Sequence, residues 1–518
     1  MTTVGQALVA GLRARGVEVV FGIPGVHTIQ LYRGLSGGGI RHVTPRHEQG
    51  AAFMADGYAR VSGKPGVAFV ITGPGLTNAL TAMAQARADS VPILVISGVN
   101  RRDSLGKSLG LLHEVPDQAA LVRALCPSFQ VDHPEKLDSV LTRAFAALTT
   151  GRPGPVHIEI PTDVMPLPCP PPKAPAPAEQ RTLPDLSAAV QRLAQAQRPV
   201  ILAGGGVRRA EAALRALAER LDAPVVQTVN ARGLMHGHPL TVPASPSLNA
   251  VRALIAGSDQ LLALGTEFGP TDYDMYVRGG LPDLSGMIRI DLCAAQLARH
   301  RAALTLQADA GEVMSALLPR LGAKSAQGAA RAAAARAAAR AELSPAMVGQ
   351  VAMLEAMRAA VPGAIIVGDS TQPVYAGNLC YDHDRAGGWF NAATGYGALG
   401  FAPGAAVGAA LAAPGTPVIC LTGDGGLQFS PGELRTALDE RLPVTFVIWN
   451  NAGFQEIADA MADAGTEVIG CTPSPLNLRP FAQACDLPFA QVPADPDALR
   501  QALAARPPGP NLIEVRVT

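Results

Sequence analysis

The chain has 518 residues, 48% hydrophobic and 16% charged, with 42 basic residues balanced by 42 acidic ones. This length exceeds one ordinary core and predicts roughly three domains, while the apolar content excludes a disordered chain. Zero net charge excludes an overall field that would gather nucleic acid or an anionic membrane, and seven scattered cysteines without a CxxC pair point away from disulfides or zinc and toward a reducing cytoplasm.

The first twenty residues, broken by Gln6, Arg13 and Arg15, predict an amphipathic helix rather than a secretory signal. Apolar runs at 17–21, 66–72, 92–97 and 156–160 then alternate with helical patterns, which predicts a parallel α/β domain over 1–165. The Pro-rich stretch 166–185 holds neither helix nor central strand and reads as an extended linker. Runs at 199–206, 223–229, 260–265 and 287–291 predict a second α/β domain over 186–324. Residues 325–343, rich in Ala and Arg, predict an exposed connecting helix. A third α/β domain is predicted over 344–518, with strands near Ile365 and at 418–421 and 444–449. Residues 386–423 carry no charge, but Asn391, Pro403, Pro414 and many glycines interrupt them, favouring a buried helix and strand over a membrane span.

The strongest chemical signal is Gly423-Asp424-Gly425 after the apolar run VICLT, with Asn450-Asn451 after a second run, VTFVIW. Asn451 follows Asp424 by 27 residues (451 − 424). A carboxylate at one strand end and an amide oxygen at the next supply two hard oxygen ligands to Mg²⁺, with diphosphate oxygens completing the shell. Gly425 and Gly426 lack a Cβ, so backbone N–H groups can approach a phosphate there. A lone GDG is often only a tight turn; the order strand, GDG, helix, strand, NN is what makes it specific.

This pattern resembles the diphosphate and Mg²⁺ motif of thiamine-diphosphate enzymes, in particular the acetolactate synthase and 2-oxo acid decarboxylase superfamily. The segments FGIPGVHTIQLY (21–32), RHEQGAAFMADGYAR (46–60) and TGPGLTNAL (72–80) look like that family's pyrimidine-binding domain, so the resemblance covers essentially the whole chain. It implies an α/β fold of three consecutive parallel-sheet domains: pyrimidine-binding, central and diphosphate-binding. It also assigns Asp424, Asn451 and the Gly453 carbonyl to Mg²⁺, and Glu48 to N1′ of the cofactor's aminopyrimidine. Beside Ala51, Ala52 and Phe53, a carboxyl group can share its proton with that ring nitrogen. Gly397 matches the carbonyl that receives the N4′ hydrogen, Leu399 the apolar prop that bends the cofactor, and Thr371, Gln372, Gly425 and Gly426 the diphosphate contacts. The sequence between Gly368 and Asn378 departs from the acetolactate synthase pattern. Without the other motifs, Glu48 would read as a helix-start carboxylate and Leu399 as core packing. The family places its cofactor between the first domain of one subunit and the third of its partner, which implies a homodimer or homotetramer.

Weaker matches fare less well. Residues 106–110 fit GxSxG, but no strand leads into them, and Arg101 stands where a P-loop needs its first glycine. ILAGGGV (201–207) begins like a dinucleotide fingerprint, yet Arg209 replaces its third glycine. The family's central domain binds FAD in some members and nothing in others, so FAD is a lesser expectation than thiamine diphosphate and Mg²⁺.

The implied reaction is decarboxylation of a small-molecule 2-oxo acid. Protonation then gives an aldehyde, whereas attack on a second 2-oxo acid gives a carboligation product such as acetolactate. His113, in LLHEVPDQ, stands where acetolactate synthases have glutamine and can relay protons near neutral pH, with His27 a second candidate and Val26 beside it facing substrate. In NAGFQEIADAM, Glu456 and Asp459 suit a cationic substrate tail, although either could be a solvated helix face, and His27 could simply pack. Taken with IPGVHT, LHEVPDQ and WNNAG, these residues resemble the 5-guanidino-2-oxopentanoate decarboxylases within the family. The alternatives are an acetolactate synthase-type carboligase and a non-catalytic cofactor-binding protein, whose usual mark is loss of the activating glutamate.

Overall fold

The computed structural model describes residues 2–37, 39–175, 182–275 and 280–517. They form three six-stranded sheets. The first runs in the order Arg41–Val43, Val19–Gly22, Gly66–Val70, Ile93–Val99, Val156–Pro161, Ser128–Gln130, all neighbours parallel. The second runs Leu304–Gln307, Ile288–Asp291, Gln260–Leu264, Pro199–Ala203, Val225–Gln227, Thr241–Val242, again all parallel. The third takes Ile365–Gly368, Trp389–Asn391, Val418–Gly423, Val444–Asn450, Phe489–Pro493 and Asn511–Arg516. Parallel strands are covered on both faces, so their near-continuous apolar runs are expected.

The chain divides into two compact units. One joins Met1–Ala178 with Tyr396–Gln491 and Arg506–Glu514. Its first helix, Val4–Ala14, starts in a capping box between Thr3 and Gln6, and its Leu8 and Leu12 pack with Val20, Phe69, Leu94, Ile96 and Ile158 of the sheet. The first part of the Pro-rich stretch docks back on this helix: Val4 N donates to Leu167 O and Cys169 N to Thr2 O. Residues 176–181 of the predicted linker lie outside the described residues.

The other unit joins Glu179–Gly395, Val492–Ala505 and Val515–Thr518. Alternate residues of its sheet serve opposite faces. Ile201 and Ala203 pack with Leu214, Leu217 and Val313, whereas Val200 and Leu202 pack with Val251, Ala332 and Ala335. The Ala/Arg-rich segment forms the helix Gly328–Ala341, but the expected exposure holds for only part of it, because Ala332, Ala335 and Ala339 are buried. Small side chains let the helix lie close against its neighbours, and Arg336 reaches round to donate to Pro239 O at 2.9 Å and Thr241 O at 2.6 Å.

The uncharged stretch 386–423 contains the buried helix Phe401–Ala412 and the whole strand Val418–Gly423. No described helix is long and apolar enough to cross a membrane.

Candidate active site

Three features of the first sheet's loops converge on the turn Thr72–Gly75. The helix Glu48–Ser62 opens with Glu48, directly after His47, whose Nδ1 accepts the Gln49 N–H and caps the helix. The half-buried Glu48 carboxylate accepts a hydrogen bond from Asn78 Nδ2 at 3.0 Å, and a Cβ at Gly75 would lie 3.5 Å from its other oxygen. Asn78 lies inside TGPGLTNAL but carries no signal in the sequence, because asparagine in a helix has too many ordinary uses.

Two histidines also meet this turn. The rings of His27 and His113 are 5.3 Å apart between centroids, and His113 Nδ1 is 3.1 Å from Thr72 O. His113 has φ +62, a left-handed conformation uncommon for a residue with a side chain. Gly73, at φ +64, accommodates it, since a Cβ there would lie 2.5 Å from His113 O. Among the described residues, His27 Nδ1 and Thr72 Oγ1 are both buried without a hydrogen-bond partner, and burial, then the neighbouring His113, hold the His27 imidazole below its ordinary range. Gln118 braces the turn from behind, accepting Gly73 N–H at 2.9 Å and donating to Glu159 Oε2 at 3.1 Å. Val26 is 65% exposed.

The second cluster forms at the ends of two paired strands. Val418–Gly423 and Val444–Asn450 are parallel with Gly423 opposite Trp449, so Asp424 and Asn451 emerge side by side. Burial pushes the Asp424 carboxyl up, opposed by hydrogen bonds from its own N–H and those of Asn451, Gly425 and Gly453. The three residues expected at Mg²⁺ are therefore gathered around one carboxyl group. The first asparagine shapes the turn: Asn450 Oδ1 accepts Ala452 N–H at 3.1 Å, and its Nδ2 donates to Glu514 Oε1 at 2.7 Å. A Cβ at Gly425 would lie 2.6 Å from the Phe454 ring, which would have to shift to admit it. Among the described residues no group of three or more His, Cys, Asp or Glu could hold a metal. One carboxylate, one amide oxygen and one carbonyl form a different donor set.

The turn carrying Gly397 and Leu399 is held within the same unit by Ala398 N–H donating to Gln85 Oε1 at 3.2 Å and by Ser430 Oγ donating to Gly400 O at 2.7 Å. Thr371, which is buried, and Gln372 belong to the other unit, where Thr371 is the N-cap residue of the helix Gln372–Leu379. Glu456 and Asp459 lie on the helix Gln455–Asp463, none of whose residues is buried. Gln455 Nε2 donates to Asp459 Oδ1 at 2.7 Å. Desolvation, then the Asp459 carboxylate, push the Glu456 carboxyl up.

The weaker motifs have structural explanations. Residues 106–110 are exposed, and the strand nearest before them ends at Val99. In ILAGGGV a Cβ at Gly204 would lie 2.2 Å from Gly265 O, so glycine there serves the close approach of two strand-end loops.

Three family descriptions match the chain in order. They are the N-terminal TPP binding domain of thiamine pyrophosphate enzymes over residues 2–121, the central domain over 186–317 and the C-terminal TPP binding domain over 369–515. A probable 2-ketoarginine decarboxylase of Pseudomonas aeruginosa is 44% identical over 529 residues, spanning 99% of this chain and 94% of that protein. The acetolactate synthase isozyme 1 large subunit of Escherichia coli (strain K12) is 32% identical, spanning 99% and 93%. A solved structure, the thiamine diphosphate-dependent 4-hydroxybenzoylformate decarboxylase of Rhodococcus jostii RHA1, matches with a TM-score of 0.84 over 100% of this chain and 99% of that one. At 24% sequence identity this is a likeness of fold.

Proposed function

The chain belongs to the thiamine pyrophosphate enzymes, and from that premise we propose that the 2-oxo acid it decarboxylates is 5-guanidino-2-oxopentanoate, also called 2-ketoarginine. In class it is a thiamine-diphosphate-dependent 2-oxo acid decarboxylase, related at lower identity to acetolactate synthases. One observation carries the substrate reading: Glu456 and Asp459 stand one helical turn apart just after the NN turn, close enough for Asp459 to disfavour charge on Glu456. A guanidinium group placed between them relieves that repulsion through charge-assisted hydrogen bonds. The Pseudomonas aeruginosa relative, a probable 2-ketoarginine decarboxylase, agrees with this substrate.

The residues present fit both cofactor and Mg²⁺. Asp424, Asn451 and the Gly453 carbonyl are hard oxygen donors and would hold the ion that neutralises the diphosphate, with Gly425 and Gly426 contacting the diphosphate itself. The bound cofactor supplies the electron sink that takes up the bonding pair as CO₂ departs. Glu48 holds and returns a proton at the pyrimidine N1′, and Asn78 fixes which carboxylate oxygen faces that atom. The Gly397 carbonyl would receive the N4′ hydrogen, and Leu399 would give the cofactor apolar support. His113 and His27 deliver the proton that yields an aldehyde, which favours decarboxylation over carboligation. Val26 lines the substrate's approach.

Val26, Ile29, Leu109, Leu112, Tyr396 and Phe429 are large apolar side chains between 54% and 65% exposed in the single chain, and they flank the motif residues. A second copy covering them makes a homodimer, with a homotetramer as its further assembly.

The test is turnover with Mg²⁺ and thiamine diphosphate, following CO₂ and product for 5-guanidino-2-oxopentanoate beside pyruvate. The expected result is a guanidino aldehyde from the former and little from pyruvate, with Glu48→Gln lowering kcat by about 10² to 10⁴. Acetolactate from pyruvate as the dominant product would sink the substrate assignment.

A further inference from the structure

We propose that Glu433 is a positioning residue for Glu48: a buried carboxyl group, distant in sequence, that grips the turn from which the Glu48 helix starts. The inference rests on the reading of Glu48 as the residue that handles the cofactor's proton. Glu433 is fully buried at the start of the helix Glu433–Asp439. Its two oxygens lie 3.2 and 3.3 Å from Arg46 N, His47 N–H also donates to it, and Thr436 Oγ1 donates to Oε2 at 2.8 Å.

Arg46 and His47 are the two residues before Glu48, so the carboxyl group fixes the backbone that sets where the Glu48 side chain leaves the helix. A second observation shows how closely the two are fitted. A Cβ at Gly50 would lie 2.1 Å from Glu433 Oε1, so the first turn of the Glu48 helix comes down on the carboxyl with room only for glycine. The outer edge is tied as well, by Arg46 Nη2 to Asp439 Oδ2 at 2.5 Å and by an ion pair between Arg41 and Glu440.

A helix start needs no such partner for stability alone, because water or the residue before it can accept its free N–H groups. Burying a carboxyl group is unfavourable unless it is well bonded. Here the bonds it makes are those that orient Glu48. A displacement of about 1 Å at a proton-transferring group is enough to lower the rate by about 10²-fold.

The experiment compares Glu433→Ala, Glu433→Gln and Gly50→Ala in the full-length protein loaded with thiamine diphosphate and Mg²⁺. Exchange of the cofactor's C2 proton with deuterated water, read by NMR after acid quench, reports Glu48's work before any substrate turns over. Cofactor affinity and Tm are measured beside it. Glu433→Ala is expected to slow exchange about tenfold or more while cofactor affinity stays within about threefold, and Glu433→Gln, which keeps an acceptor for Arg46 N–H, to stay within about threefold of wild type. Equal exchange in wild type and Glu433→Ala, or equal loss in the Ala and Gln variants, would overturn the proposal. If Glu433→Ala does not fold, Gly50→Ala decides: unchanged exchange there overturns it, and slowed exchange with retained affinity supports it. Unchanged exchange in Glu48→Gln would instead remove the reading on which it rests.

Discussion

His157 sits inside the first sheet with Ser97 Oγ 2.8 Å from Nε2 and Ser128 Oγ 2.8 Å from Nδ1, and burial pushes its pKa down to about 3. The unfolded chain accepts a proton near the ordinary value of 6.5 while the folded chain refuses it. The stability this neutral imidazole preserves is therefore complete above pH 6.5 and is lost progressively as pH falls toward 3. Between pH 6 and pH 4 the expected slope from this residue is about 1.4 kcal/mol per pH unit. Urea unfolding midpoints at pH 7, 6 and 5 should fall less steeply for His157→Gln; parallel curves would show that other groups govern acid unfolding. Single residues differ greatly in how far the sequence exposes their work. Asp424 and Asn451 are legible because strand ends and a fixed interval announce them, and the structure sets them side by side. Asn78, Gln85 and Glu433 are not, since each acts through a contact that only folding creates; Glu433 meets Arg46 across 387 residues of chain.

At the scale of elements, the helices Glu48–Ser62 and Phe401–Ala412 approach each other within one unit through glycines. A Cβ at Gly57 would lie 2.0 Å from Ala405 O, and one at Gly408 would lie 1.9 Å from Met54 O. Replacing a helical glycine by alanine ordinarily stabilises by up to about 1 kcal/mol, because alanine loses less backbone freedom on folding. Here overpacking against a backbone carbonyl, at about 1–3 kcal/mol, opposes that gain and exceeds it. Gly57→Ala and Gly408→Ala should therefore lower the urea midpoint. Gly349→Ala, within the helix Pro345–Ala360 and with open space where its Cβ would lie, should raise it. Equal signs at Gly57 and Gly349 would mean the helix contact yields easily. The elements read most readily from sequence were the inner strands, whose runs such as Ile93–Val99 are buried at every position. Short strands such as Ser128–Gln130 and Leu304–Gln307 are not legible in the sequence because half-exposed residues leave no apolar run. The Gly328–Ala341 helix misled in another way: alanine carries little hydrophobic signal, yet it buries well where a helix must lie close.

For the molecule as a whole, the sequence order of the motifs leaves open which chain completes which site. Glu48 and Asp424 belong to different family domains of one chain, matched at 2–121 and 369–515. If the first domain of one copy works with the third of its partner, a dimer has two sites, each built from both chains. Glu48→Gln and Asp424→Asn would then each cut turnover to a small residual level alone, since every site in either homodimer carries the defect. In a heterodimer of the two variants, both defects fall in one site and the other site is intact. Co-expressing them with different affinity tags and purifying on both tags isolates that heterodimer, which should recover about half of wild-type activity. If each chain instead completes its own site, every site in the heterodimer keeps one defect and activity stays at the level of the single variants. The comparison needs no knowledge of the substrate side chain beyond a measurable turnover, so it tests the shared site independently of the guanidino acid. It also gives the exposed apolar residues around Val26 and Phe429 a consequence: replacing Phe429 by a charged residue should lower recovery through failed assembly, seen as loss of dimer by light scattering.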